Sequence, residues 1–244
     1  MAERDEVLAR YDPIRESIKR VLSLAAASCA KADWDRATRQ VAPWADRAAL
    51  AETEAAGVMV ADVALFERNQ RGRRVFDRFL SGKAKGLPAL DLALAHRIAE
   101  TVCFSLFRYA GPHGTAGVWL QDTLRGMRRV RLLDRSLEAN APPEGAVLGM
   151  RVFDAGEFHA GFGIVVPVDP EIYEFCFDAA RRAQPLPVRH SLAATLYGDE
   201  LLEEEMPLNE TTAAMMGEIL DRLDAERPAV FWNPEGAADR KKDE

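Results

Sequence analysis

Between Val102 and Val168 the hydrophobic pattern changes period, and no other feature of the chain limits its fold as much. Before and after this stretch, apolar residues recur every three or four positions, as helices require. Inside it they alternate in short runs split by Gly and Pro clusters, as strands require. Strands are expected at Val102–Tyr109, Val118–Thr123, Arg129–Asp134, Ala146–Phe153 and Phe162–Val168. The breaks between them, such as Gly111-Pro112-His113-Gly114 and Arg125-Gly126, hold residues that supply positive φ or fix a bend. Breaks this short can join antiparallel neighbours only. Alternation puts Val118 and Leu120, Val130 and Leu132, then Ala146, Leu148, Met150 and Val152 on one apolar face. Short strands with one apolar face curl into a small barrel, because open edges invite pairing with other chains. The expected fold class is therefore α+β, with a small antiparallel five-stranded barrel-like sheet, SH3-like or OB-like, flanked by N- and C-terminal helices.

Helical signals fill the remainder. Asp12-Pro13 reads as N-cap and first helical position of a helix running to about Cys29. A short helix over Trp34–Val41 and a longer one from Asp46 to Phe66 follow. The second half of the longer helix is apolar nearly all round, which makes it central. Asn69 is placed to cap a helix from Gln70 to Leu80, and Pro88 opens another through Glu100. Beyond the strands, Asp169-Pro170 repeats the cap-plus-proline signature. Ser191–Glu205 is helical with an interruption near Gly198, Asn209 caps a last helix, and Val230-Phe231-Trp232 is a docked apolar tail. The expected division is a helical segment over 1–100, a β-unit over 101–168, C-terminal helices over 169–236 and a disordered tail over 237–244.

Composition excludes several classes. No apolar run reaches the roughly 18 to 20 residues that cross a bilayer, so no membrane partner is expected. The acidic, polar start is unlike a signal peptide. Cys29, Cys103 and Cys176 are scattered and odd in number, which argues for reduced thiols and a cytoplasmic location. A net charge of −7 disfavours a generic nucleic-acid coat protein, but the charge is segregated. Seven cations lie between Arg68 and Lys85 against Asp77 alone, and five arginines between Arg125 and Arg135 against Asp134. Acids dominate from Asp199 to Glu226. Fields act within a Debye length of about 8–10 Å, so local balance matters more than the total.

The succession of helices, then Phe104-Ser105-Leu106-Phe107, Val118-Trp119-Leu120-Gln121-Asp122 and Pro143-Glu144-Gly145-Ala146-Val147-Leu148-Gly149-Met150-Arg151-Val152, resembles a group of uncharacterised bacterial proteins. In that group a small β-module follows a helical segment. The resemblance covers about the middle third of the chain and implies no known activity. Some members carry a C-terminal cysteine and histidine metal knuckle; here no cysteine follows Cys176 and no histidine follows His190.

Residues that could carry chemistry are dispersed. His96, His113, His159 and His190 form no ligand pair at helical spacing, and there is no Cys-x-x-Cys, so neither a metal nor another cofactor is expected. Cys103 has no basic sequence neighbour to favour its thiolate. The loops Gly111–Gly117 and Gly82–Gly86 lack the following helix or Ser/Thr of a phosphate cradle, and read as turns. Asp62, inside an apolar helix, needs a partner, because unpaired burial of a carboxylate costs several kcal/mol.

Arginine clusters are the best candidate surfaces. Arg71, Arg74 and Arg78, spaced at three and four residues on the Gln70–Leu80 helix, share one face. Arg129 and Arg131 alternate with Val130 and Leu132, which aims both guanidinium groups away from the sheet's core. Internal pairing of the first cluster with Glu203–Glu205 or the last helix is the plainest use for it. The leading expectation is a non-enzymatic cytoplasmic protein that binds another protein. One alternative is a nucleic-acid or ribosome-associated module, with arginines on phosphates and Trp119, Tyr109 or Phe153 stacking on bases. A second is an enzyme with a carboxylate-lined cleft.

Overall fold

Alternation in the central stretch gives the sheet a core of its own. The computed structural model describes residues 2–45 and 53–205. Its strands are β1 (Cys103–Pro112), β2 (Val118–Asp122), β3 (Arg128–Leu133), β4 (Val147–Asp154) and β5 (His159–Pro167). Every second residue of these runs turns inward. Phe107 and Tyr109 meet Val118 and Leu120, Val130 and Leu132, and Leu148, Met150 and Val152 in one buried cluster.

Pairing runs β1-β2-β3-β5-β4 and returns from β4 to β1, so each strand has two neighbours. The sheet is mixed, which corrects the antiparallel expectation: β3 and β5 pair in parallel, with Leu132 opposite His159. Short breaks force antiparallel pairing only between strands consecutive in the chain. Between β3 and β5 lie α6 (Arg135–Ala139) and the whole of β4, enough chain to bring β5 back in the same direction. Asp134 caps α6, its Oδ1 accepting the Leu137 N–H at 2.9 Å.

The helices before the sheet are α1 (Ala2–Ala26), α2 (Lys31–Val41), α3 (Glu54–Phe66), α4 (Val75–Ser81) and α5 (Ala89–Thr101); α7 (Pro170–Arg181) and α8 (Leu192–Glu205) follow it. Residues 2–202 belong to one compact unit. The parts of the expected helices that fall on 46–52 and 209–227, the apolar tail at 230–232 and the disordered tail at 237–244 lie outside the described residues. So do the side chains of Glu203–Glu205 and with them the expected pairing to the arginines. Among the described residues, no helix is long and apolar enough to cross a membrane.

Three local expectations change. Pro13 lies inside α1 instead of starting it, and Asp12 pairs with Arg135 of α6 rather than capping. The Asn69 carboxamide accepts the Arg71 and Arg73 N–H groups in a turn, so α4 begins at Val75 instead of at Gln70. Gly198 does not interrupt α8. A Cβ there would stand 2.6 Å from the Val41 carbonyl oxygen, so the glycine lets α8 pack closely against the end of α2.

As its all-round apolar pattern requires, α3 is central. Leu65 and Phe66 join the cluster of α1, α4 and α5, while Met59, Val60, Val63 and Ala64 join that of α2, α7 and α8. Asp62, on the same helix, meets Arg151 of β4: Nε to Oδ1 is 2.7 Å, and the other arm of the guanidinium reaches Glu67 at 2.8 Å. Phe66 and Phe104 flank that guanidinium at 5.1 and 5.4 Å. Burial pushes the Asp62 carboxyl above its ordinary pKa, with Arg151 opposing. Burial also acts against the Arg151 cation, but Asp62 and Glu67 outweigh it and hold the guanidinium charged.

Candidate functional site

Pairing of β1, β2 and β3 brings their outward residues onto one face. Arg108 lies opposite Gln121, Gln121 opposite Arg129, and Trp119 opposite Arg131. With Val118, Leu120, Val130 and Leu132 turned inward, Trp119, Gln121, Arg129 and Arg131 must point out. Trp119 is half-buried and Arg129 exposed. The Arg129 guanidinium carbon lies 4.2 Å from the centre of the indole, and the His113 ring 4.9 Å from it at a tilt of 49°. A cation over an indole at an exposed site is stabilised by about 0.5–1 kcal/mol.

The β1–β2 loop closes one end of this face. Gly117 has φ of +85°, and a Cβ there would lie 2.2 Å from the Leu132 carbonyl oxygen, so only glycine lets the loop sit against β3. That contact presents the Ala116 carbonyl to Arg131, which donates to it from Nε at 3.2 Å and Nη2 at 3.1 Å. His113 Nδ1 accepts the Thr115 N–H at 3.1 Å, which orients the ring beside Trp119. Burial, reinforced by Arg131, lowers the His113 pKa and keeps the imidazole neutral near pH 7. At the other end of the face, Arg108 donates to the Tyr173 hydroxyl of α7 at 2.7 Å and lies over that ring at 5.5 Å.

Many arginines elsewhere in the unit are neutralised: Arg20 by Asp91, Arg97 by Asp154, Arg135 by Asp12 and Arg151 by Asp62 and Glu67. Arg108 and Arg129 rest on aromatic rings, and neither makes an ion pair with a described carboxylate.

The first arginine cluster is not assembled as one surface. Arg71 lies in the Asn69 turn, exposed; Arg74 precedes α4 and binds Asp77 and the Ala99 carbonyl; Arg78 binds Asp33 of α2 at 2.7 Å. Those two pairings use Asp77 and Asp33, not the C-terminal acids. Of the aromatic residues considered for stacking, Tyr109 and Phe153 are buried and only Trp119 is accessible. Two participants escaped sequence reasoning, His113 and Arg108. Arg108 had a signal, since it alternates with inward Phe107 and Tyr109; His113 had none beyond its place in a Gly-Pro loop. Among the described residues, no group of three His, Cys, Asp or Glu side chains is placed to hold a metal ion. Comparison with known proteins finds no matching family, no matching characterised relative and no matching solved structure.

Proposed function

We propose that this protein binds single-stranded nucleic acid across the outer face of β1, β2 and β3, with Trp119 as its stacking platform. The observation that carries this reading is the exposed Arg129 guanidinium over the Trp119 indole, with no described carboxylate to neutralise it. Aromatic rings offer every base a π-face, and guanidinium forks suit phosphate, so the pair serves a strand without demanding a sequence. Arg131, held by the loop, positions the backbone under Trp119. Arg108 extends the positive face by one strand. A strand order of 1-2-3-5-4, a parallel β3–β5 pair and a helix between β3 and β4 support an OB-like rather than an SH3-like barrel. In OB-folds the face of strands 2 and 3 and the 1–2 loop are the binding surface for oligonucleotides; that support is by analogy of fold.

The test is fluorescence anisotropy of labelled single-stranded DNA and RNA oligomers with the full chain, at rising salt. Binding should weaken with salt, because phosphate neutralisation releases counterions. Trp119→Ala should weaken it by about 5- to 150-fold, the equivalent of one base–aromatic stack at about 1–3 kcal/mol. Arg129→Gln should also lower the salt slope by about 0.7. Arg71→Glu should change little. Absence of binding at low salt, or equal loss in Arg71→Glu and Trp119→Ala, overturns the proposal. Displacement of the oligomer by a polyglutamate chain at equal charge concentration would favour a protein partner instead.

A further inference from the structure

The interior of the closed sheet is largely apolar, but at one end β2, β3, β4 and β5 turn Asp122, Arg128, Asp154 and His159 inward, beside Cys103 of β1. Each continues the inward alternation of its strand, and all five line one cavity. Asp122 is buried beside Phe107, Val130 and Val152, and burying a carboxylate there costs free energy unless polar partners compensate it. The cavity measures about 470 Å³, a volume in the range of small-molecule sites. Phe107, Val130 and Val152 form its apolar floor.

The charges around the cavity do not cancel internally. Asp154 is satisfied from outside the cavity, its Oδ1 accepting from Arg97 at 3.2 Å and from the Gly156 N–H at 2.7 Å. Asp122 is buried; its Oδ1 accepts the Ser105 hydroxyl at 2.6 Å, and its Oδ2 lies 3.9 Å from Arg125 Nε of the β2–β3 turn. Arg128, exposed at the rim, makes no ion pair with a described carboxylate. Burial lowers the His159 pKa, with Asp154 opposing and Arg128 reinforcing, so the imidazole is neutral and offers an acceptor nitrogen.

We propose that this cavity binds a small organic anion, a carboxylate or a phosphate ester, with its acidic group on Arg128 beside Arg125 and its apolar body on Phe107, Val130 and Val152. A hydroxyl or amine on the same molecule finds acceptors in His159 and in Asp122 Oδ2. The site faces into the sheet, opposite in sense to Trp119, and does not depend on the nucleic-acid reading.

The experiment is a thermal-shift screen of the full chain with two sets at millimolar concentration: nucleoside monophosphates, and short amino and hydroxy carboxylic acids. Sodium chloride of equal ionic strength serves as the control. A compound that binds the folded state raises the melting temperature by mass action. At least one compound should do so, and which set it belongs to identifies the phosphate or the carboxylate source. The shift should vanish in Arg128→Glu and persist in Arg129→Glu, whose side chain leaves the opposite face. As a second readout in the unaltered chain, the active compound should slow alkylation of Cys103 but not of Cys29, followed by peptide mass. No shift in either set, a shift that survives Arg128→Glu, or unprotected Cys103 overturns the proposal.

Discussion

Replacing Arg151 by methionine should cost the fold about 3–5 kcal/mol, the usual penalty for removing one partner of a buried ion pair. The structure sets the size of the effect. The Arg151 side chain is 4% exposed and that of Asp62 2%, and they meet at 2.7 Å. Opposite charges about 4 Å apart at an effective dielectric of about 20 attract by about 4 kcal/mol. Among the described residues Asp62 Oδ2 has no hydrogen-bond partner, so Arg151 is the carboxylate's main compensation. Glu67, partly exposed, can turn to water and adds little to the penalty. Without the cation, Asp62 must bind a proton to remain buried, and its folded pKa, already raised by burial, rises further. A carboxyl with a raised folded pKa takes up protons on folding, so the loss should grow as pH rises above the ordinary carboxylate range and shrink below it. Urea unfolding followed by circular dichroism, from mildly acidic to mildly alkaline pH, measures both. For a unit of this size the melting temperature should fall by about 10 °C. The double variant Arg151→Met, Asp62→Leu should recover most of the loss, because no charge remains to be desolvated. A single variant costing under about 1 kcal/mol, or a double variant no better than the single, would refute this account.

Asp91 should make the fold acid-sensitive. Hydrogen bonds from Arg20 and Ser17 hold its pKa below the usual carboxylate value, so its contribution is full above the unfolded pKa and is lost as pH falls through the folded one. Melting curves of Asp91→Asn should be lower at pH 7 and flatter between about pH 5 and pH 2 than those of the unaltered protein. Gly198→Ala should destabilise, although alanine is the better helix former by about 1 kcal/mol, because its Cβ would meet the Val41 carbonyl oxygen at 2.6 Å. A Gly198→Ala variant that melts higher would show that α2 can yield at that contact.

What the sequence discloses is the inside-or-outside choice along each strand. Alternation sorted Val118, Leu120, Val130, Leu132, Ala146, Leu148, Met150 and Val152 onto one face, and the structure buries all of them together except Ala146, which precedes β4 and is only partly buried. It also sorted Arg129 and Arg131 outward, and the all-round apolar pattern made α3 central. None of these needs knowledge of which strand lies beside which. The parallel β3–β5 pair does, because it joins strands separated by a helix and another strand, and no local residue signals that return. The partner of Asp62 was hidden for the same reason, since Arg151 lies 89 positions away.

The candidate site shows where local pattern stops being informative. An outward residue has meaning only beside other outward residues, and the register of neighbouring strands decides which those are. Trp119 and Arg129 come together through the short β2–β3 turn, the most local pairing in the sheet, and they are the part of the face that sequence reasoning named. Arg108 gains Tyr173 only when α7 docks, and His113 gains Trp119 only when Gly117 seats the loop on β3. The Arg71, Arg74 and Arg78 cluster failed in the opposite way. Its spacing presumed a helix, and the Asn69 carboxamide stabilised a turn there instead, which left each arginine to find its own surroundings. A charge cluster read at helical spacing therefore carries information only where nothing nearby competes for the backbone. Strand alternation is safer, because a one-residue slip would turn the whole apolar set into water. That cost fixes Arg129 on the outer face more firmly than any helical spacing fixed Arg71.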